Sequence, residues 1–424
     1  MPKLANTSSY LPRIIDSKIE RYLKLFGALT IEGPKWCGKS WTSSIHAKSE
    51  ILLAEKENKD LAEISPKLIL GGDSPRLIDE WQEVPSVFDE VRCEVDRRGK
   101  KGQFILTGSS TPSREGICHS GAGRFGKIKM RTMSLFETGD SSGKISLEDL
   151  CNGRFEDEYT GDVDLNDLAY FVLRGGWPDS VGVETKEAST IPSSYIEAIL
   201  DNEVMGLDNI ARNKSKMRLL LSSLARNECR IASNRSLARD ISGEEGTLIS
   251  DETLAVYLDI FQRLYLIDNQ KPFSCNIRSS KRLISAEKRH FCDVSLAACL
   301  LKETPEKLFA DLNTFGFLFE SLVEHDLAIY AESFDASIYH YRDYYGKEID
   351  AVIEKKDGTW CAFEIKLGAN KIDEAASNLL SIKKSLERAG SSVPEVMCVI
   401  AGTANAAYKR KDGVYVVPIT ALRP

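Results

Sequence analysis

Residues Gly33-Pro34-Lys35-Trp36-Cys37-Gly38-Lys39-Ser40 fit the spacing G-x-x-x-x-G-K-[ST]. Small residues at that spacing let successive backbone N–H groups converge on a phosphate, and the dipole of a helix opening around Trp41 favours the anion. The chemistry implied is nucleotide binding by Gly33 to Trp41, with Lys39 reaching the β- and γ-phosphates and the Ser40 hydroxyl ligating Mg²⁺. Two further stretches complete such a site. Arg76-Leu77-Ile78-Asp79-Glu80 ends an apolar run in two carboxylates; Asp79 is expected to hold Mg²⁺ through water and Glu80 to polarise the attacking water. Gln103-Phe104-Ile105-Leu106-Thr107 ends a second apolar run in a hydroxyl placed to sense the terminal phosphate. The glycine-flanked Arg124 has two readings, an arginine finger acting in cis or in trans and a surface salt bridge; the same choice applies to Arg131.

A second set of residues lies towards the C-terminus. The chain has four Glu-x-Lys tripeptides, and context singles out Glu364-Ile365-Lys366. Trp360 to Leu367 reads as a strand whose period of two puts Glu364 and Lys366 on one face. Lys347 to Glu354 reads as another strand, joined to the first through the Asp357-Gly358 turn, so that Asp350 approaches Glu364. Glu320 belongs to an apolar helix expected over Phe315 to His325. Carboxylates so grouped hold one or two Mg²⁺ ions that activate water and stabilise a pentavalent phosphate, and a neighbouring lysine orients the nucleophile. Glu320, Asp350, Glu364 and Lys366 are the candidate catalytic residues, with Asp350 and Glu364 as metal ligands. The arrangement resembles the PD-(D/E)xK nucleases, in particular the archaeal Holliday-junction resolvase branch. It departs from them in lacking the leading Pro-Asp, because Asp350 follows Ile349.

Elements must hold these residues in place. Gly27 to Glu32, Arg76 to Glu80 and Gln103 to Thr107 read as buried strands with polar C-terminal ends, separated by helix-length segments. That pattern predicts an α/β fold with a parallel sheet and a site at its strand tips. Gly175-Gly176-Trp177-Pro178 reads as a turn cluster closing the first domain. Ser233 to Ile241 makes a short helix, and Ser250-Asp251-Glu252-Thr253 caps a longer one with Leu254, Tyr257, Leu258, Phe261 and Leu264 at helical spacing. Leu266 to Ile284 then reads as a two-stranded wing whose Lys271, Arg278, Lys281 and Arg282 suit phosphate contacts.

Residues 10 to 140 resemble the AAA+ ATPase domain of a large bacterial and archaeal family, through GPKWCGKS, LIDEWQEVP, FILTGSS, the Gly-Ala-Gly-Arg segment and MRTMSLFE. The resemblance implies a P-loop AAA+ core over 1–140, an acidic helical connector over 141–193, a winged-helix domain over 194–290 and a restriction-endonuclease-like α/β domain over 291–424. ATP and Mg²⁺ are the cofactors it implies.

Net charge, −7 from 56 Lys+Arg and 63 Asp+Glu, argues at face value against nucleic acid. The charge is uneven, however. Glu137 to Asp208 carries 17 acidic and 4 basic residues, whereas Ala211 to His290 carries 15 basic and 9 acidic. A DNA contact is therefore expected to be local to the basic middle. ATP hydrolysis coupled to DNA binding and metal-dependent DNA cleavage is one reading. A signalling or scaffold ATPase binding protein partners, or assembling as a homo-oligomer, is the other. No apolar run approaches the roughly 18 residues of a membrane helix. The N-terminus lacks a signal-peptide pattern, and the 10 cysteines contain no C-x-x-C, so a cytoplasmic protein with no membrane partner is expected.

Overall fold

The computed structural model describes residues 10–110, 121–204, 212–245, 250–275, 286–343 and 345–424. The chain forms two compact units, one of residues 1–132, 201–212 and 259–266, the other of residues 133–200, 213–258 and 267–424.

The first unit is built on β1 (Ala28–Glu32), β2 (Ser49–Leu52), β3 (Arg76–Asp79), β4 (Phe104–Gly108) and β5 (Phe125–Lys129), in spatial order β2-β3-β4-β1-β5. Every neighbouring pair is parallel. Both faces are covered. Ala28, Phe104 and Leu106 enter one apolar cluster, whereas Leu29, Ile31 and Ile105 enter another. Burial on two faces is why these strands read as continuous apolar runs rather than alternating ones. Helix Ser86–Arg98 closes one face with Val87, Val91 and Val95 at helical spacing, and helix Asp16–Leu25 closes the other with Ile19. Residues 259–266 return to this unit. Tyr265, in the left-handed region at φ 54°, donates its hydroxyl to Glu32, which Lys127 Nζ also reaches at 2.6 Å.

The strands of the second unit are β6 (Ile145–Ser146), β7 (Glu158–Tyr159), β8 (Ser337–Arg342), β9 (Glu348–Glu354), β10 (Trp360–Lys366), β11 (Val396–Ala401), β12 (Ala406–Lys409), β13 (Tyr415–Pro418) and β14 (Leu422–Arg423). Seven make a mixed sheet in the order β7-β12-β13-β11-β10-β9-β8, and β14 pairs with β6. The β9–β10 hairpin forms as the Asp357-Gly358 pair predicts. Gly358 supplies the left-handed turn at φ 84°, and Asp357 Oδ1 accepts from the Thr359 N–H at 2.9 Å. Helix Ile372–Arg388 buries Ala375, Leu379 and Ile382 with Val352, Ala362 and Val399 of the sheet. Helix Leu312–Ser333 opens at Asp311, whose carboxylate accepts from the N–H groups of Asn313 and Thr314 at 3.1 Å.

Gly175-Gly176-Trp177-Pro178, expected to be a boundary, is instead an interior packing point. The Gly176 N–H donates to Asp293 Oδ2 at 2.9 Å and Trp177 Nε1 to Ser295 Oγ at 3.0 Å. A Cβ on Gly176 would lie 1.9 Å from the Met133 carbonyl oxygen, so close approach explains the glycine. The middle helices form over Asn234–Glu245 and Asp251–Arg263. Of the expected wing, Leu266 to Ile284, the described part forms two isolated bridges, Ile267 to Phe291 and Gln270 to Lys288, and residues 276–285 lie outside the described residues. Arg278, Lys281 and Arg282 lie outside the described residues. The described cysteines are free thiols, and no described helix is long and apolar enough to cross a membrane.

Candidate functional site

β1 runs into a turn that enters helix Lys39–His46. Trp36 at φ 63° and Gly38 at φ 99° are both left-handed, and a Cβ on Gly33 would lie 2.1 Å from the Met130 carbonyl oxygen. Trp36 and Trp41 stand exposed on the turn and first helical residues. Arg13, buried, clamps the turn from outside the motif: Nη1 donates to the Cys37 carbonyl at 2.7 Å and Nη2 to the Arg131 carbonyl at 2.9 Å. Lys39 is also buried, its ammonium donating to the Pro34 carbonyl at 2.7 Å, which holds the cation over the turn.

Three elements then meet on one oxygen. Ser40 Oγ donates to Asp79 Oδ1 at 2.7 Å, and Thr107 Oγ1 donates to the same atom. The parallel register, with Leu52 opposite Asp79 and Glu32 opposite Gly108, brings these strand ends to one sheet edge. Because β4 lies between β1 and β3, its terminal hydroxyl falls between the phosphate turn and the carboxylates. Burial pushes the Asp79 carboxyl above its usual range, opposed by the Thr107 and Ser40 hydroxyls. A hard oxygen set of this kind fits Mg²⁺. Glu80 adopts a left-handed backbone at φ 54°, a costly geometry for a non-glycine residue that marks an imposed position. Its Oε2 accepts from Ser109 Oγ at 2.8 Å and from Gln82 Nε2.

Arg124 is not brought to this edge. It precedes the first residue of β5, where its carbonyl accepts from the Gly27 N–H at 3.0 Å. The phosphate turn follows the other end of the five-residue β1, about 16 Å away. The Arg124 guanidinium pairs with Asp96 at 3.0 Å, the contact that the salt-bridge reading expects. Arg131 meets the turn through its carbonyl, by way of Arg13.

In the second unit, β9 and β10 bring Asp350, Glu364 and Lys366 together. Lys366 Nζ lies 2.9 Å from Asp350 Oδ2 and 2.7 Å from Glu364 Oε2. The Ile365 N–H donates to Asp350 Oδ2 at 2.8 Å, and Asn378 Nδ2 to Glu364 Oε1 at 2.7 Å. Glu320 is tied in through Lys288, a residue no spacing pattern indicated. Lys288 Nζ donates to Glu320, to Glu324 Oε1 at 2.6 Å and to the Asp350 carbonyl at 3.3 Å. His290 continues the cluster, with Nε2 2.8 Å from Glu324 and Nδ1 3.2 Å from Glu228.

Burial pushes the carboxyls of Glu364 and Glu320 up to about 8, and the like charge of Asp350 adds to both. Burial acts on Asp350 too, but the charges of Lys366 and Lys288 outweigh it and hold that carboxyl below its usual range. His290 resists its own burial through Glu324 and Glu228, which raise it to about 9. An ionised carboxylate beside a proton-holding one is a pairing suited to acid–base work. The oxygen donors of Asp350 and Glu364 fit a hard divalent cation, with Lys366 as the charge to be shared.

Residues 26–139 match the family described as AAA domain, a span containing every nucleotide-site residue above except Arg13. The first unit carries a P-loop domain similar to AAA domains over those residues. The protein is thus α/β, with a parallel-sheet core of the P-loop ATPase kind. Residues 165–307 and 315–422 match two domains of unknown function, DUF8612 and DUF4143, the second spanning Glu320, Asp350, Glu364 and Lys366. Uncharacterized proteins of Mycobacterium tuberculosis and Mycobacterium bovis are each 25% identical over 357 residues, covering 82% of this chain and 72% of theirs. Among solved structures, a Walker-type ATPase of Pyrococcus abyssi is similar at 15% identity and a TM-score of 0.42, over 71% of this chain and 98% of that one.

Proposed function

We propose that the protein hydrolyses ATP with Mg²⁺ and couples that cycle to DNA binding and to metal-dependent cleavage at Glu320, Asp350, Glu364 and Lys366. The observation that carries the ATPase reading is the convergence of Ser40 and Thr107 on Asp79 at the edge of a parallel sheet, beside a buried lysine. Ser40 and Asp79 are the residues to hold Mg²⁺, which when bound neutralises phosphate charge and fixes the β- and γ-oxygens. Lys39, folded over the turn, is placed to take the remaining phosphate charge. Glu80, steadied by Ser109 and Gln82, orients the attacking water and accepts its proton.

At the second site Asp350 and Glu364 are the ligands and Lys366 orients the nucleophile. The excess of basic residues over Ala211 to His290 supports DNA as the partner. One observation favours a competing reading in which this unit only binds: Lys366 and Lys288 already neutralise the carboxylates. Phosphate release from ATP should require Mg²⁺ and vanish in Lys39→Ala and Glu80→Gln; unchanged turnover in both refutes the ATPase reading. Cutting of single-stranded or branched DNA should require Mg²⁺ or Mn²⁺ and vanish in Asp350→Asn. Intact substrates with both metals leave the binding-only reading.

A further inference from the structure

The second unit contains a cavity of about 310 Å³, lined among others by Arg230, Lys288, Phe317, His340, Arg342 and Asp350. That volume is at the small end of ligand pockets, roughly 300–1,000 Å³. Asp350 joins the cavity to the carboxylate cluster. Most of its charges are already engaged. Arg342 Nε pairs with Glu348 at 3.2 Å, Lys288 with Glu320 and Glu324, and Asp350 with Lys366.

Arg230 is the exception, for no carboxylate of the described residues pairs with it. Its guanidinium lies over the Phe317 ring, 4.5 Å from the centroid. Stacking fixes the guanidinium plane and leaves its N–H edge available, and that fork matches the oxygens of a phosphate. The second observation is independent of the first. His340 is 3% exposed and lines the cavity; the Ala286 backbone lies near enough to favour a proton on one ring nitrogen, and neither nitrogen makes a hydrogen bond of normal geometry to a side chain. Buried polar groups in folded proteins are nearly always paired, so the nitrogen that does not face Ala286 points to a ligand group. Burial, with the Lys288 charge adding, pushes the imidazole down to about 4. His340 is therefore neutral at pH 7, with one nitrogen donating and the other accepting. A cation on an aromatic face selects phosphate, and the open nitrogen of a neutral imidazole selects a polar group on a base or sugar.

We propose that this cavity binds the phosphate-bearing terminal nucleotide of a nucleic-acid strand and holds that end beside Asp350. The inference rests on the DNA-processing reading of the carboxylate cluster and narrows its substrate to strand ends, because a duplex cannot enter a cavity of this size. The test is fluorescence anisotropy with the full-length protein in EDTA, where nothing is cut. The probes are fluorescein-labelled single-stranded DNAs ending in 5′-phosphate, 5′-hydroxyl, 3′-phosphate or 3′-hydroxyl. One phosphate end should bind about tenfold more tightly than its hydroxyl counterpart, the size of one charge-assisted contact. Arg230→Ala should erase that preference, Arg230→Lys should keep part of it, and His340→Gln should weaken both ends alike.

Equal affinity for phosphate and hydroxyl ends, or an intact preference in Arg230→Ala, overturns the proposal. So does a free deoxynucleoside monophosphate that competes as tightly as the strand end. Thermal melts establish that each variant is folded, and the exposed Arg230 gives a variant whose fold does not depend on the substituted side chain. Since the readout is binding, the two readings separate. A phosphate preference in a protein that cuts no substrate sinks the cleavage reading and leaves the pocket standing.

Discussion

Lys288→Met tests how the carboxylate cluster of the second unit is held together. Methionine keeps the aliphatic stem and deletes an ammonium that is buried and shared by Glu320 and Glu324. Removing one partner of a buried ion pair costs about 3–5 kcal/mol, because the survivor is left uncompensated. Two features relieve that cost at neutral pH. Glu320, with its carboxyl already near 8, holds a proton and sheds most of its charge. Glu324 keeps His290 at 2.8 Å. The expected loss at pH 7 is therefore at the low end, about 3 kcal/mol, a large share of the roughly 5–15 kcal/mol that stabilises a folded protein. Lys288 itself pulls the Glu320 carboxyl down, so above pH 8 the native protein gains an ionised Glu320 paired with Lys288 while the variant must keep Glu320 protonated or uncompensated, and His290 loses its proton around 9. The loss should therefore grow towards about 5 kcal/mol. The assay is urea unfolding followed by the fluorescence of the buried Trp177 and Trp360, at pH 6, 7.5 and 9. Adding Glu320→Gln to Lys288→Met should recover part of the loss at pH 9. A loss below about 1 kcal/mol at pH 9, or one independent of pH, refutes the view that Lys288 neutralises a buried pair.

Two further outcomes follow from the same geometry. His290, raised from 6.5 to about 9, adds stability that is fully present below pH 6.5 and lost as pH rises through 9, on the order of 3 kcal/mol. Glu320 and Glu364, raised from 4.5 to about 8, bind more protons folded than unfolded, so they too make stability fall between those values. The melting temperature of the second unit should accordingly drop from pH 6 to pH 9, and a flat or rising profile in differential scanning fluorimetry counts against these assignments. Arg13→Ala should raise the Kd for a fluorescent ATP analogue about tenfold, because the charge-assisted hydrogen bonds that tie Cys37 of the phosphate turn to the Arg131 backbone are lost. An unchanged Kd by fluorescence titration removes Arg13 from the site.

The sequence was informative where function depends on neighbours along the chain. Gly33, Gly38 and Lys39 announce a turn between strand and helix because their chemistry is set within eight residues. Asp350 and Glu364 were legible through the Asp357-Gly358 turn and the period of two. The failures are all long-range. Arg13, Lys288 and Asn378 act on residues far along the chain, and no periodicity records such a meeting. Ser109 was visible within FILTGSS, but its grip on Glu80 needed the β3–β4 register. Arg124 keeps two readings in the sequence because a glycine-rich segment does not tell which end of the following strand it adjoins. The Gly175-Gly176 pair was misread because glycines that permit close packing look, in sequence, like glycines that permit a turn.

The Tyr265–Glu32 hydrogen bond has a consequence for biosynthesis. A chain emerging from the ribosome completes the strands and the phosphate turn within its first 130 residues, yet the anchor for the residue preceding that turn arrives only after residue 265. The nucleotide domain therefore finishes folding after much of the second unit has been synthesised, unlike domains that fold in order as they appear. Recombination that transplants only the leading third of the gene carries over a domain without its own fastening.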